Sequence, residues 1–365
     1  MPKNILENIH DKGLRLIAEK VIHDVPVGTD DARHMLETPH VLELGAIAHH
    51  MRTKLHGDQA FYGVNMNLNY TNICELRCPL CAFSCDEGDE KAYVLSLDEI
   101  EEKVRNAVRL GIDEVHIVGG LNPELDIGYF EEMLRRIKKI RPELFIVGFT
   151  ATEYDYFAKK NDLTVEAVFQ RFLDAGLGAL PGGGAEIFSP ETREQIAPKK
   201  ISGKRWLEVM RIAHAMGIKT NATMLYNHIE NSDDIVDHLS RIRKLQNETG
   251  GFKTFVPLVF HDAHTKIRAK RSTTTGFGDI RLYAASRIFL HNVPHLKGLW
   301  MYLGEKMAQV LLRFGADDIG STYLYEKVVH SAGAKTPDYG TESYLRNLIE
   351  NAGLRPQKTV SSYGA

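Results

Sequence analysis

The spacing of apolar residues changes near residue 60. Before that point Ile5, Ile9, Leu14, Leu16, Ile17 and Val21 recur at helical spacing, and residues 41–55 repeat the pattern, which predicts a helical leader. From residue 61 short apolar runs alternate with amphipathic stretches, the rhythm of parallel βα units. The runs predict strands over residues 64–70, 114–118, 144–151, 178–180, 219–225, 254–260, 298–303 and 317–322. Helices are expected over 96–110, 128–140, 164–175, 203–216, 233–249, 279–290, 305–314 and 325–332. Ser96, with Glu99 three residues on, reads as a capping box that starts the first of these. Such a rhythm fits a TIM-type (β/α)8 barrel or a slightly open version of it. The division that follows is a leader over 1–60 packed on the barrel, the barrel over 61–334, and a tail over 335–365 with one more helix.

Composition narrows the class of partner. The 365 residues carry a formal charge of -3 and no basic tract, which argues against nucleic acid or an anionic membrane surface and favours a small-molecule substrate. No apolar run approaches the length that spans a membrane, and the first twenty residues hold no signal-like core. All four cysteines fall within twelve residues, so nothing is left to pair across the fold; the thiols are expected to stay reduced in a cytoplasmic protein.

Those cysteines carry the strongest chemical signal. Cys74, Cys78 and Cys81 stand in C-x3-C-x2-C spacing on a loop delivered by the first barrel strand. Three thiolates from so short a loop can close on one inorganic cluster, and three ligands suit a four-iron cluster with one iron left open. The alternative is a compact zinc knuckle that takes Cys85 as a fourth ligand, giving a binding module without chemistry.

Further candidates follow the other strands. Gly119 and Gly120 let the backbone approach a ligand and expose carbonyls. The run Pro181-Gly182-Gly183-Gly184-Ala185-Glu186 reads as a ligand wall ending in a carboxylate. Polar Asn221 and Thr223 alternate with apolar residues, so one face of their strand looks into a polar interior. His228 and Glu230 at the end of that strand are proton-transfer or substrate-orienting candidates, or else solvated loop residues. His261, His291 and His295 lie near predicted turns at the barrel mouth. Arg193, Lys199, Lys200, Arg205, Lys266, Arg268 and Arg271 could hold a carboxylate, most of them being expected to face solvent.

Taken together, Leu68 to Asn72, the three cysteines with Ala82-Phe83, Val118-Gly119-Gly120, Leu180 to Phe188, Asn221 to Glu230 and Arg313 to Asp318 resemble the radical S-adenosylmethionine (SAM) enzymes over nearly the whole chain. Within them the chain is similar to the aminofutalosine synthases of the futalosine route to menaquinone, next to dehypoxanthine futalosine cyclase and the 5-deazaflavin synthases. The resemblance implies a radical SAM barrel with a [4Fe-4S] cluster on Cys74, Cys78 and Cys81, its open iron taking S-adenosyl-L-methionine as co-substrate. It implies that Gly119 and Gly120 accept from the methionyl ammonium, that Glu186 meets the ribose, and that Leu80 and Asn221 lie beside the cofactor. Leu80 replaces the usual aromatic residue, Asn227 replaces a glycine, and Cys85, extra to the motif, is expected to stay free. The implied reaction is addition of the 5'-deoxyadenosyl radical to 3-[(1-carboxyvinyl)oxy]benzoate, with rearrangement and loss of carbon dioxide. That makes the protein a transferase supplied with electrons by a reductant such as flavodoxin or ferredoxin. For catalysis His228, Glu230, His291 and His295 are candidates; for the dicarboxylate substrate Arg268, Arg271 and His261. The alternative enzyme reading is the cyclase, in which the same radical abstracts hydrogen.

Overall fold

The computed structural model describes residues 6–269 and 276–364. Three helices, Lys12–Ile22, Thr29–Glu37 and Val41–His56, form the leader, and the last runs straight into the first strand. That strand is broken at Val64 into β1 (Gln59–Gly63) and β2 (Asn65–Leu68). The chain then alternates helices with β3 (Glu114–Ile117), β4 (Phe145–Gly148), β5 (Ala179–Leu180), β6 (Lys219–Tyr226), β7 (Phe252–Val259), β8 (His295–Leu296) and β9 (Asp318–Ser321).

Strands β2 to β8 pair in sequence order as one curled, wholly parallel sheet of seven. β9 spans the gap between its edges. Gly298 N donates to Asp318 O (2.7 Å) on the β8 side, and beyond β9 the Leu324 carbonyl accepts from Asn67 N of β2 (2.7 Å). Helices cover the outside, several of them started by a capping side chain. Ser96 caps Leu97–Arg109 with Glu99 in the expected capping box, and Thr150 with Glu153 does the same for Ala151–Lys160. The barrel inferred from the apolar rhythm is thus present.

The tail is not only helical. After the helix Glu342–Asn351 it adds β10 (Arg355–Lys358), which pairs parallel with β1, and then turns under the starts of the barrel strands. There Ser361 Oγ donates to Glu114 Oε1 (2.8 Å), the Tyr363 hydroxyl donates to Asp318 Oδ2 (2.6 Å), and the Tyr363 ring stacks on His295 at 3.6 Å. Residues 359–364 therefore close the floor of the barrel.

The predicted strand over 298–303 is a correction. Strand pairing falls earlier, at His295–Leu296, and Trp300–Leu303 is a helical turn because Trp300 and Met301 are buried against the rest of the barrel, with Trp300 Nε1 donating to Ser321 O (2.8 Å). Short apolar runs do not by themselves distinguish a strand from a buried helical turn.

Candidate active site at the cluster end of the barrel

The cysteine loop leaves β2 at the end where the strands finish, and neighbouring loops grip it from several sides. Gly120 N donates to Thr71 O (2.9 Å), Glu75 N to Leu121 O (3.1 Å), Leu80 N to Ile196 O (3.2 Å) and Lys266 N to Pro79 O (3.0 Å). Its base is closed by a parallel bridge between Ile73 and Cys85, in which Cys85 N donates to Asn72 O (2.9 Å) and Cys74 N to Cys85 O (3.2 Å). Cys85 is fully buried and its thiol donates to the Asn72 carbonyl. Cys74 and Cys81 are half-buried, and Cys78 is buried.

The thiol set fits an iron-sulfur cluster. Burial pushes Cys78 up to about 11, with the nearby Lys200 ammonium pulling the other way. A thiol so placed keeps its proton until a metal displaces it, so cluster loading releases protons. Among the described residues only His56, His295 and Asp317 bring three potential ligand atoms within 4.8 Å of one another, and they sit at the barrel floor.

Gly120 has no room for a side chain. A Cβ there would lie 2.1 Å from Ile73 O and 3.0 Å from Cys74 Cβ, so the glycine backbone packs flat against the cluster loop. Gly119 packs in the same way on the Tyr70 ring, and its N–H donates to Glu153 Oε1 (3.2 Å). Glu153, which the sequence reading passed over, is 2% exposed and also accepts from the Tyr70 hydroxyl (2.8 Å). Burial raises its carboxyl above the ordinary range despite the four donors around it. The Gly120→Ala enzyme is expected to fold yet hold markedly less iron per chain than wild type after identical anaerobic reconstitution, because the cluster loop must shift to admit the methyl group. Iron and sulfide analysis checks this, and wild-type loading would remove the glycine from the argument.

The glycine run after β5 is a braced loop whose neighbours are protein. Gly182 has φ +83, and a Cβ there would meet Asn221 O at 2.2 Å; Gly184 has φ +85 and faces Thr152 Oγ1. Thr223 Oγ1 donates to Gly182 O (2.7 Å) and Trp206 Nε1 to Gly183 O (3.1 Å). Arg193 supplies the rest: its guanidinium donates to the carbonyls of Gly184, Ala185, Ile187 and Ile201. The brace delivers Glu186, 8% exposed and in left-handed backbone at φ 49, next to the cluster loop. There Glu186 pairs with Lys200. Burial opposes the charge on both, and each holds the other ionised: the Glu186 carboxyl is lowered and the Lys200 ammonium raised. Most of the seven basic candidates were expected to face solvent; Arg193 is buried in the site wall and Lys200 half-buried beside it.

The even positions of β6 face the helices, since Thr220 bonds His214 and Tyr226 bonds Asp279, and the odd positions, Asn221 and Thr223, face inward. After β6 Asn227 adopts φ 68, and Glu230 closes the turn by accepting from Asn227 N and His228 N. His228 is 1% exposed; Nε2 donates to Leu225 O (3.1 Å) and Nδ1 accepts from Ile229 N (2.7 Å), while burial lowers its pKa. Both nitrogens are engaged in its own turn, and Nδ1 also lies 3.2 Å from Glu230 Oε2.

The remaining candidates separate. His261, after β7, donates to Tyr302 O (2.9 Å) and lines a cavity of about 650 Å³ with Met301, Met307, Lys335 and Thr336. Arg268 is exposed and donates to Asp262 O (2.8 Å); Arg271 lies outside the described residues. His291 and His295 are corrected: they precede and open β8, and so lie at the floor, the far end from the cysteines. Misplacing that strand had put them at the mouth.

Sequence comparison agrees with this geometry. Residues 68–242 match the radical SAM superfamily and residues 249–365 match the CofH/MqnC C-terminal region. The chain is 37% identical over 361 residues to aminodeoxyfutalosine synthase of Thermus thermophilus, covering 98% of this chain and 97% of that one. It is also 37% identical over 320 residues to the 5-amino-6-(D-ribitylamino)uracil–L-tyrosine 4-hydroxyphenyl transferase of Methanopyrus kandleri, covering 87% of each. Among solved structures methylornithine synthase superposes with a TM-score of 0.74 at 18% identity, covering 93% of this chain and 97% of that one, a likeness of fold. The protein is accordingly a transferase that uses a [4Fe-4S] cluster and S-adenosyl-L-methionine, with a small-molecule substrate and an external reductant. Among the described residues no helix is long and apolar enough to cross a membrane. With both halves of the chain matched and one alignment running almost end to end, this protein belongs to the radical SAM superfamily, in the branch that carries the CofH/MqnC C-terminal region.

Proposed function

We propose that the enzyme is an aminodeoxyfutalosine synthase of menaquinone biosynthesis, joining the 5'-deoxyadenosyl group of S-adenosyl-L-methionine to 3-[(1-carboxyvinyl)oxy]benzoate with release of methionine and carbon dioxide. The observation that carries the reading is the near end-to-end alignment with the Thermus synthase, 361 residues against 320 for the archaeal transferase. When bound, the cluster supplies the electron that splits the sulfonium and frees the adenosyl radical.

The chain's own residues bind, orient and exclude water. In this reading the Gly119 and Gly120 backbone receives the methionyl ammonium, Glu186 accepts the ribose hydroxyls, and Leu80 and Asn221 shape the cofactor's surroundings. The interior walls hold the alkene against the nascent radical, because a primary carbon radical attacks whatever lies nearest. Electrons come from a small reductant such as flavodoxin or ferredoxin.

A second reading has support in the archaeal relative, which by its name transfers a 4-hydroxyphenyl group from tyrosine. Product analysis separates the two. Reduced enzyme given SAM and the enol ether without oxygen is expected to form a nucleoside that contains the benzoate carbons. If 5'-deoxyadenosine is the sole nucleoside product, addition is rejected.

A further inference from the structure

The inside of the barrel floor is polar and ionic. Glu114 of β3 accepts from Ser361, and Lys297, just after β8, pairs with Asp318 at 3.3 Å. Lys253 stands apart. It is 7% exposed, and its Nζ has no hydrogen-bond partner. It occupies the register shift of β7 between Phe252 and Thr254, opposite β6. Its ammonium lies 5.8 Å from the centre of the Phe145 ring on β4, and β4 is not a neighbour of β7 in the sheet. The side chain therefore crosses the interior. A second unpartnered atom lies on the neighbouring strand: Asn221 Oδ1, on inward-facing β6, at the position registered with Thr254.

An ammonium buried without an anion within reach is costly, and folded proteins keep such groups where a ligand or counter-ion completes them. Burial pulls Lys253 down to about 7, only partly offset by Glu114, whose own oxygens are taken by His116 and Ser361. An arriving carboxylate would restore the charged form. The tail closes the floor beneath, so the way in is from the cluster end. The rise of β7 from Lys253 to Leu258 is roughly 16 Å, depth enough for an elongated substrate to stand between floor and radical.

We propose that Lys253 seats a carboxylate of the substrate at the bottom of the barrel, leaving the reacting end of the molecule directed toward the cluster loop. The identity of that substrate rests on the synthase reading above; the seat itself rests on the unpaired cation. It takes the anion-binding role that the sequence suggested for Arg268 and Arg271.

Calorimetric titration of the reconstituted, SAM-loaded enzyme tests it. Wild type is expected to bind 3-[(1-carboxyvinyl)oxy]benzoate about ten- to a hundred-fold more tightly than Lys253→Met does, as for one buried charge-assisted hydrogen bond. Iron content and SAM affinity of the variant should match wild type, which establishes that it has folded. One of the two monomethyl esters should bind wild type as weakly as the free acid binds the variant, and the variant should not distinguish that ester from the acid. Equal affinity of the two proteins for the acid, or equal loss for acid and both esters, overturns the seat. L-Tyrosine distinguishes the two ways of failing. A wild type that ignores the enol ether but binds tyrosine through Lys253 keeps the seat and overturns the synthase reading; one that binds neither in a Lys253-dependent way overturns the seat.

Discussion

Serine in place of Cys78 is expected to give protein without a reductively bleachable brown chromophore, whereas serine in place of Cys85 leaves colour and iron content at wild-type levels. The two cysteines are seven residues apart, and both are buried. Their surroundings differ. Cys78 lies in the electrostatic reach of Cys74, Cys81 and Lys200, while Cys85 forms a parallel bridge with Ile73 at the base of the loop and its thiol donates to the Asn72 carbonyl. Loss of one of three ligands leaves only two thiolates to hold the cluster; loss of the Cys85 thiol removes one weak hydrogen bond, at a cost of about 1 kcal/mol. Anaerobic absorption spectra before and after dithionite, with iron and sulfide analysis, read the difference. Should Cys85→Ser lose its metal while Cys78→Ser keeps some, Cys85 would be a ligand and the open-iron site would not exist.

Arg193→Met is expected to destabilise the protein by at least about 3 kcal/mol and to weaken SAM binding at the same time. Methionine fills much of the volume but leaves the carbonyls of Gly184, Ala185, Ile187 and Ile201 without their donors in a buried place. Each orphaned group costs about 1–3 kcal/mol, less than additively where the loop relaxes. Relaxation is the functional harm, because Glu186 holds left-handed backbone only while this loop is braced. Arg193→Lys should recover little, since one ammonium cannot reproduce a planar fork that reaches four carbonyls. Urea midpoints and SAM titrations of both variants measure the effect. A lysine variant as stable and as tight as wild type would mean that charge, not the fork, matters.

What could be read from the chain is what is local. The C-x3-C-x2-C spacing, the Ser96 capping box, the inward alternation of Asn221 and Thr223 and the tolerance of Asn227 for left-handed backbone each depend on a few adjacent residues. What escaped depends on which distant segments meet. Arg193 and Lys200 look like surface charges in a polar stretch, and only the fold shows that carbonyls from 184–187 and a carboxylate at Glu186 enclose them. The three glycines suggested a ligand wall, yet their missing side chains make room for Asn221, Thr150 and Thr152. His291 and His295 were misplaced because a two-residue strand leaves no periodicity to detect. Lys253 was invisible for a related reason: the register shift that turns it inward is a property of two paired strands.

The way the tail closes the barrel floor also bears on how the chain is made in the cell. β1 lies between β9 and β10, and Glu114 is completed by Ser361, so segments from the first third of the sequence wait for partners some 250 residues downstream. While a ribosome is still translating, that edge is an unpaired parallel strand, a slow and aggregation-prone arrangement. Closure of the floor therefore waits until these late segments have been made. Nascent chains halted before residue 355 should remain chaperone clients however complete their cysteine loop.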